Sequence, residues 1–121
     1  MVVRYARGEK AERVWGTWEV LETGETFCVK KLVVYPKQKL SLQTHEHRDE
    51  HWIVVQGKAA VTLGHEIIIK NPNESVFIPK KEFHRIESVG DENLVFIEVQ
   101  TGALLDENDI IRYNDDYTVK A

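Results

Sequence analysis

Three histidines fall within seven residues in the run QTHEHRDEHW, at His45, His47 and His51, and a fourth, His84, follows 33 residues after His51. Neutral imidazoles are common ligands for zinc, manganese, iron, cobalt, nickel and copper. A site that keeps one coordination position open for water or substrate does Lewis-acid chemistry. On an extended chain alternate residues share a side, so His45 and His47 present two rings to one ion, and His51, at a further even interval, can join them. An antiparallel neighbour carrying the strand-like FHRIES would bring His84 alongside. Gln43, two residues before His45, shares that face and is placed to ligate or to donate to a metal-bound water. Surface histidines with no common target are the competing reading, and it suits an isolated His-x-His better than this cluster. His65, beside Gly64 in a turn signal, has no companion and is given no role.

The elements that must position these rings read as strands. Turn formers recur at short intervals, at Thr23-Gly24, Tyr35-Pro36, Gly57-Lys58, Gly64-His65, Asn71-Pro72-Asn73, Pro79-Lys80-Lys81 and Gly90-Asp91. Between them lie segments rich in β-branched and aromatic residues: 17–22, 26–35, 52–56, 59–63, 66–69, 75–78 and 94–100. Within 26–35 the residues Phe27, Val29, Val33 and Tyr35 share one face and Lys30 falls on the other. No stretch shows a sustained helical apolar spacing. Many short strands at regular turn spacing predict an all-β sandwich or barrel, because an open array would leave its edges unpaired. The acidic segment 106–116 reads as a short helix or a final strand. The aromatics Trp15, Trp18, Phe27, Trp52, Phe77, Phe83 and Phe96 are expected in the core and barrel lining.

The 121 residues suit one domain, and 42% apolar against 30% charged residues is the composition of a folded chain. Twenty acidic side chains against sixteen basic give a net charge of −4, the wrong sign for affinity built on phosphate-backbone neutralisation, so no nucleic-acid partner is expected. The lone Cys28 makes no internal disulfide, and no apolar run approaches the ~20 residues that span a bilayer. The N-terminal stretch, with Arg4, Arg7, Lys10 and Arg13, lacks the apolar core of a secretion signal. A cytoplasmic chain without a membrane partner is expected.

The run PKQKLSLQTHEHRDEHWIVVQG, 36–57, resembles the first conserved cupin motif, and ESVFIPKKEFHRIES, 74–88, the second. More narrowly, LSLQTHEHRDEHWIVVQGKAAVT is similar to the cupin half of type II mannose-6-phosphate isomerases, often fused behind a mannose-1-phosphate guanylyltransferase. RVWGTWE near the start and EVQTGALLDENDIIRYNDDY near the end extend the similarity over nearly the whole chain. The resemblance implies a cupin double-stranded β-helix, a jelly-roll barrel, as a single stand-alone domain over residues 1–121. An N-terminal arm covers about 1–20, the barrel about 21–105 and a C-terminal segment about 106–121. Two positions depart from the general cupin pattern. A glutamate is expected four or five residues after the second histidine, whereas Glu50 comes three after His47 and His51 comes four after. Even spacing favours His51 as third ligand and the distance to Gly57 favours Glu50; the balance leans to His51. Lys81 stands where the second motif usually has glycine.

By this resemblance the activity is metal-dependent interconversion of mannose 6-phosphate and fructose 6-phosphate. The metal set is His45, His47, His51 and His84 with Gln43, and the cofactor a divalent ion, zinc first, with manganese, iron, cobalt or nickel as alternatives. Glu50 is the base if His51 ligates, and otherwise Glu98. Arg48, with its planar fork, is the leading phosphate anchor, ahead of Lys39, Lys81 and Arg85. The alternatives are a non-catalytic metal- and sugar-binding module serving a separate guanylyltransferase, or another cupin enzyme such as a dioxygenase. Exposed sheet edges predict a homodimer, with the segment through Trp18 the element to exchange.

Overall fold

Alternating apolar and polar side chains build eleven strands and no helix among residues 4–120, which the computed structural model describes. In chain order they are β1 (Lys10–Arg13), β2 (Gly16–Thr23), β3 (Phe27–Val34), β4 (Leu42–Thr44), β5 (Arg48–Gln56) and β6 (Ala59–Leu63). There follow β7 (Glu66–Lys70), β8 (Ser75–Ile78), β9 (His84–Ser88), β10 (Leu94–Gly102) and β11 (Ile111–Tyr113). Among the described residues no helix is long and apolar enough to cross a membrane.

The strands form two antiparallel sheets, ordered β1-β2-β3-β10-β5-β8 and β11-β4-β9-β6-β7. Each sheet turns one face inward, and Trp18, Leu32, Val34, Val61, Ile86 and Phe96 from both fill the space between. Side-chain alternation puts every second residue of β10 inside, from Leu94 through Phe96 and Glu98 to Gln100. Removing this apolar surface from water is the main force holding the sheets together. The turn from β5 into β6 needs Gly57, whose φ is +85° and whose added Cβ would lie 2.8 Å from the Asn93 carbonyl oxygen.

Two expectations are corrected, both on which side an aromatic residue faces. On β3 it is Cys28, Lys30, Leu32 and Val34 that are buried, so Lys30 points inward while Phe27 is on the exposed face. Phe77 is likewise 47% exposed on the outer side of β8. Aromatic character did not predict side, because both residues fall out of phase with the inward-facing set. The segment 106–116 contains a strand, β11, paired with β4, and no helix. The expected N-terminal arm is part of the sheet: β1 pairs β2, and β2 pairs β3 of the same chain. Trp18 is buried in that chain's own core. Residues 1–3 of the arm and residue 121 of the C-terminal segment lie outside the described residues.

Candidate metal centre

β5, β9 and the loop after β4 bring three donors together: His45, Glu50 and His84, all buried, with ligand atoms within 4.8 Å of one another. The Nε2 atoms of His45 and His84 are 3.0 Å apart, His45 Nε2 lies 3.2 Å from Glu50 Oε2, and His84 Nε2 lies 4.0 Å from Glu50 Oε1. Each ring is held at its other nitrogen. The Nδ1 of His45 is 2.7 Å from the Asp109 carbonyl oxygen, and that of His84 is 3.0 Å from the Glu82 carbonyl oxygen. A carbonyl accepts, so both Nδ1 atoms carry the proton and both Nε2 lone pairs point at the carboxylate. Two lone pairs and a carboxylate converging in the interior require positive charge between them, supplied by a proton on one ring or by a divalent cation. Two imidazoles and one carboxylate with free lone pairs therefore fit such an ion by their donor chemistry.

His47 and His51 do not join this set, and the expectation that they do is corrected. The strand stops after Thr44, and the chain bends through Glu46 and His47 before β5 begins at Arg48. The Asp109 carboxylate holds this bend by accepting both backbone N–H groups, Glu46 at 3.0 Å and His47 at 3.0 Å. The two-residue alternation that would place His47 beside His45 is broken there, and His47 is exposed. On β5 the alternation is intact, but it puts Arg48, Glu50 and Trp52 inside and His51 outside, against the Phe77 ring at 4.7 Å between centroids. Lys81, in place of the usual glycine, adopts φ +71°, and its N–H donates to the His45 carbonyl at 2.6 Å.

Around the triad runs a buried polar network. Arg48 Nε donates to Glu50 Oε2 at 2.9 Å, and its Nη1 donates to the Asp106 carbonyl at 3.0 Å. Its guanidinium is thus occupied in holding Glu50, which corrects the expectation of a fork free to bind phosphate. Trp52 Nε1 is shared, 3.0 Å from Glu50 Oε1 and 3.0 Å from Glu98 Oε1. Gln100 Nε2 donates to Glu98 Oε2 at 2.8 Å, which leaves the Gln100 Oε1 buried without a protein partner. Burial works against charge on Glu50, but the adjoining His45 and Arg48 outweigh it and hold its carboxyl well below the usual range. Glu98 responds oppositely: burial, together with the charge on Glu50, pushes it up to about 8. Burial also drives His84 down to about 4, keeping the imidazole neutral and its Nε2 available.

A cavity of about 300 Å³ opens over this network, and Gln43, Arg48, Glu50, His84, Glu98 and Gln100 all line it. The Gln43 amide donates to Ser41 Oγ at 3.0 Å. Lys30 lines the same cavity, its ammonium 3.6 Å from the Tyr5 ring centroid, 4.4 Å from that of Trp18, and 3.6 Å from Glu107 Oε2. Tyr5 also donates its hydroxyl to Glu107. Sequence reasoning assigned Lys30 no role. The period-two face was legible, with Lys30 beside Cys28, Leu32 and Val34, but Lys31 stands in the same way on the opposite face, so no signal said which one turns inward. Asp109, which sets both the bend and the His45 ring, carried no signal either in an acidic run.

Residues 4–115 match the family described as mannose-6-phosphate isomerase C-terminal. Among curated proteins the chain is 45% identical over 108 residues to the xanthan biosynthesis protein XanB of Xanthomonas campestris pv. campestris, covering 89% of this chain and 23% of XanB. It is 42% identical over 105 residues to the mannose-1-phosphate guanylyltransferase ManC of Salmonella typhimurium, covering 87% of this chain and 22% of ManC. The chain therefore spans less than a quarter of the length of these relatives. Among solved structures the cupin domain of Schizosaccharomyces pombe Cnp3 superposes with a TM-score of 0.71 at 14% identity, over 74% of this chain and 66% of that one. At that identity the likeness establishes the fold, a cupin barrel.

Proposed function

This chain belongs to the mannose-6-phosphate isomerase C-terminal family, and from that premise we propose that it interconverts mannose 6-phosphate and fructose 6-phosphate with a divalent metal. The observation that carries the reading is the convergence of His45, Glu50 and His84 at a cavity that Glu98 also lines. His45, Glu50 and His84 are the residues that would hold the ion, with zinc the first choice. Bound there, the ion supplies Lewis acidity toward the sugar's carbonyl and adjacent hydroxyl oxygens.

With Glu50 in the triad, Glu98 is the proton carrier. It takes the proton from C2 and returns it to C1, while the hydroxyl proton passes from O2 to O1, so that aldose and ketose interconvert without loss of atoms. A carboxyl pushed up to about 8 is partly ionised at neutral pH and both accepts and gives back a proton at small cost. Trp52 orients it by donating to one oxygen and Gln100 by donating to the other. Arg48 is a positioning residue, holding the Glu50 carboxylate toward the two rings. The unpartnered Gln100 Oε1 is the acceptor for a sugar hydroxyl.

The test is a coupled assay for fructose 6-phosphate from mannose 6-phosphate, using protein stripped of metal and reloaded separately with zinc, manganese, cobalt, nickel and iron. Turnover that returns with a metal and disappears in His45→Ala and Glu98→Gln is the expected result. A second reading, favoured by the guanylyltransferase names of the longer relatives, is a sugar-phosphate-binding module that assists such an enzyme. Metal and sugar-phosphate binding without turnover would replace the isomerase with that module.

A further inference from the structure

A phosphorylated substrate needs a cation that the cavity has not already neutralised, and most of the cations in reach are spent. Arg48 is bonded to Glu50 and the Asp106 carbonyl, and Lys30 is paired with Glu107. Arg85 donates to Asp115 at 2.9 Å, and Lys39 lies 3.8 Å from the other oxygen of the same carboxylate. Lys81 sits on the turn before β9 and does not line the cavity. Two guanidinium groups remain. Arg13, at the end of β1, donates only to the adjoining Glu12 carbonyl at 3.1 Å, and Arg112, on β11, has no acidic partner among the described residues. Both are exposed and both line the cavity.

Register gives Arg112 a defined relation to the triad. It pairs with Gln43 across β11 and β4, and Gln43 pairs with His84 across β4 and β9. Residues on one rung of a ladder project to the same face, so Arg112, Gln43 and His84 stand in a row along the cavity wall, the two ends about 10 Å apart at the usual strand spacing. The row runs from the donor cluster inside to a free guanidinium at the rim. That spacing suits a ligand with a reacting carbonyl at one end and an anion at the other.

We infer that Arg112 and Arg13 form the anion subsite of this cavity and take the dianionic phosphoryl group of an open-chain sugar phosphate whose carbonyl end lies at His45, Glu50 and His84. The inference rests on the reading of the cavity as a sugar-phosphate site and names the residues that select the phosphorylated sugar. Arginine matches the group's oxygens with paired N–H donors, and at the rim its charge also steers the anion inward.

The experiment is calorimetric titration of the metal-loaded protein with mannose 6-phosphate, mannose 1-phosphate, mannose and inorganic phosphate, on the wild type, Arg112→Gln and Arg13→Gln, with zinc uptake measured on each. Mannose 6-phosphate should bind more tightly than the other three. Arg112→Gln should weaken it about tenfold or more and flatten its salt dependence, with Arg13→Gln acting in the same direction, while zinc uptake stays unchanged. In the isomerase assay the loss should fall on KM rather than kcat, as expected for binding shared by ground and transition states. A wild type that binds mannose 6-phosphate no better than mannose, or variants that bind it as the wild type does, would overturn the inference. Arg112-dependent binding without turnover by any metal form would remove the isomerase reading and leave the anion subsite standing.

Discussion

Strand β5 carries the same kinds of residue on both of its faces with opposite outcomes. Outward, His51, Ile53 and Val55 are exposed; inward, Arg48, Glu50 and Trp52 are buried and hydrogen-bonded into one network. The outer histidine is exposed and lies against the Phe77 ring. The inner glutamate meets a histidine from the loop after β4 and another from β9. A polar residue becomes part of a site where several elements converge on it and exclude water. Its own type and its neighbours in sequence do not suffice.

The strongest way to break the inner face is to remove its central carboxylate. Glu50→Ala leaves the Arg48 guanidinium buried without its partner and is expected to cost about 3–5 kcal/mol, measured by urea unfolding of the metal-free protein. Zinc affinity by calorimetry should fall by about a hundredfold or more. Phenylalanines sharpen the same contrast: Phe96, fully buried on the inner side of β10, should cost about 3–5 kcal/mol on replacement by alanine. Phe77→Ala, on the outer side, should cost less than about 1 kcal/mol. Equal losses in the two would mean that the outer face is covered in solution.

Smaller effects probe how the fold presents the site. Asp109→Ala deprives two backbone N–H groups of their acceptor and frees the bend that sets the His45 ring. A loss of about 1–3 kcal/mol is expected, with zinc affinity down about tenfold. The smallest change belongs to His51→Ala, within about 0.5 kcal/mol of the wild type in stability and with unaltered zinc uptake. A His51→Ala protein that failed to bind metal would end the distinction between the two faces.

The strands were legible because turn residues and β-branched runs alternate regularly, and β6 and β8 begin and end where the pattern does. The short strands β1 and β4 were not marked out, and β11 stood only as one of two readings of 106–116, since three or four residues hold too little periodicity and their pairing is decided by the sheet they join. At the site, His45 and His84 were found from type and spacing. Glu50 stood beside His51 as one of two candidates for the third donor, because alternation along β5 fixes which residues share a face but leaves open which face turns inward. For the same reason the Lys30 face of β3 gave no warning that it would be the buried one.

By itself the sequence determined the class of fold, its membership in a family of cupin domains and the concentration of imidazoles near residue 45, all of which follow from local pattern and motif. Tertiary structure alone decided the rest. Which side of β5 met the second sheet selected Glu50 over His51, a bend held by Asp109 removed His47, and the ring-to-carbonyl bonds aimed two Nε2 lone pairs at one point. These are long-range outcomes of packing, in which residues up to 64 positions apart fix each other's orientation, and no window of neighbouring residues contains them.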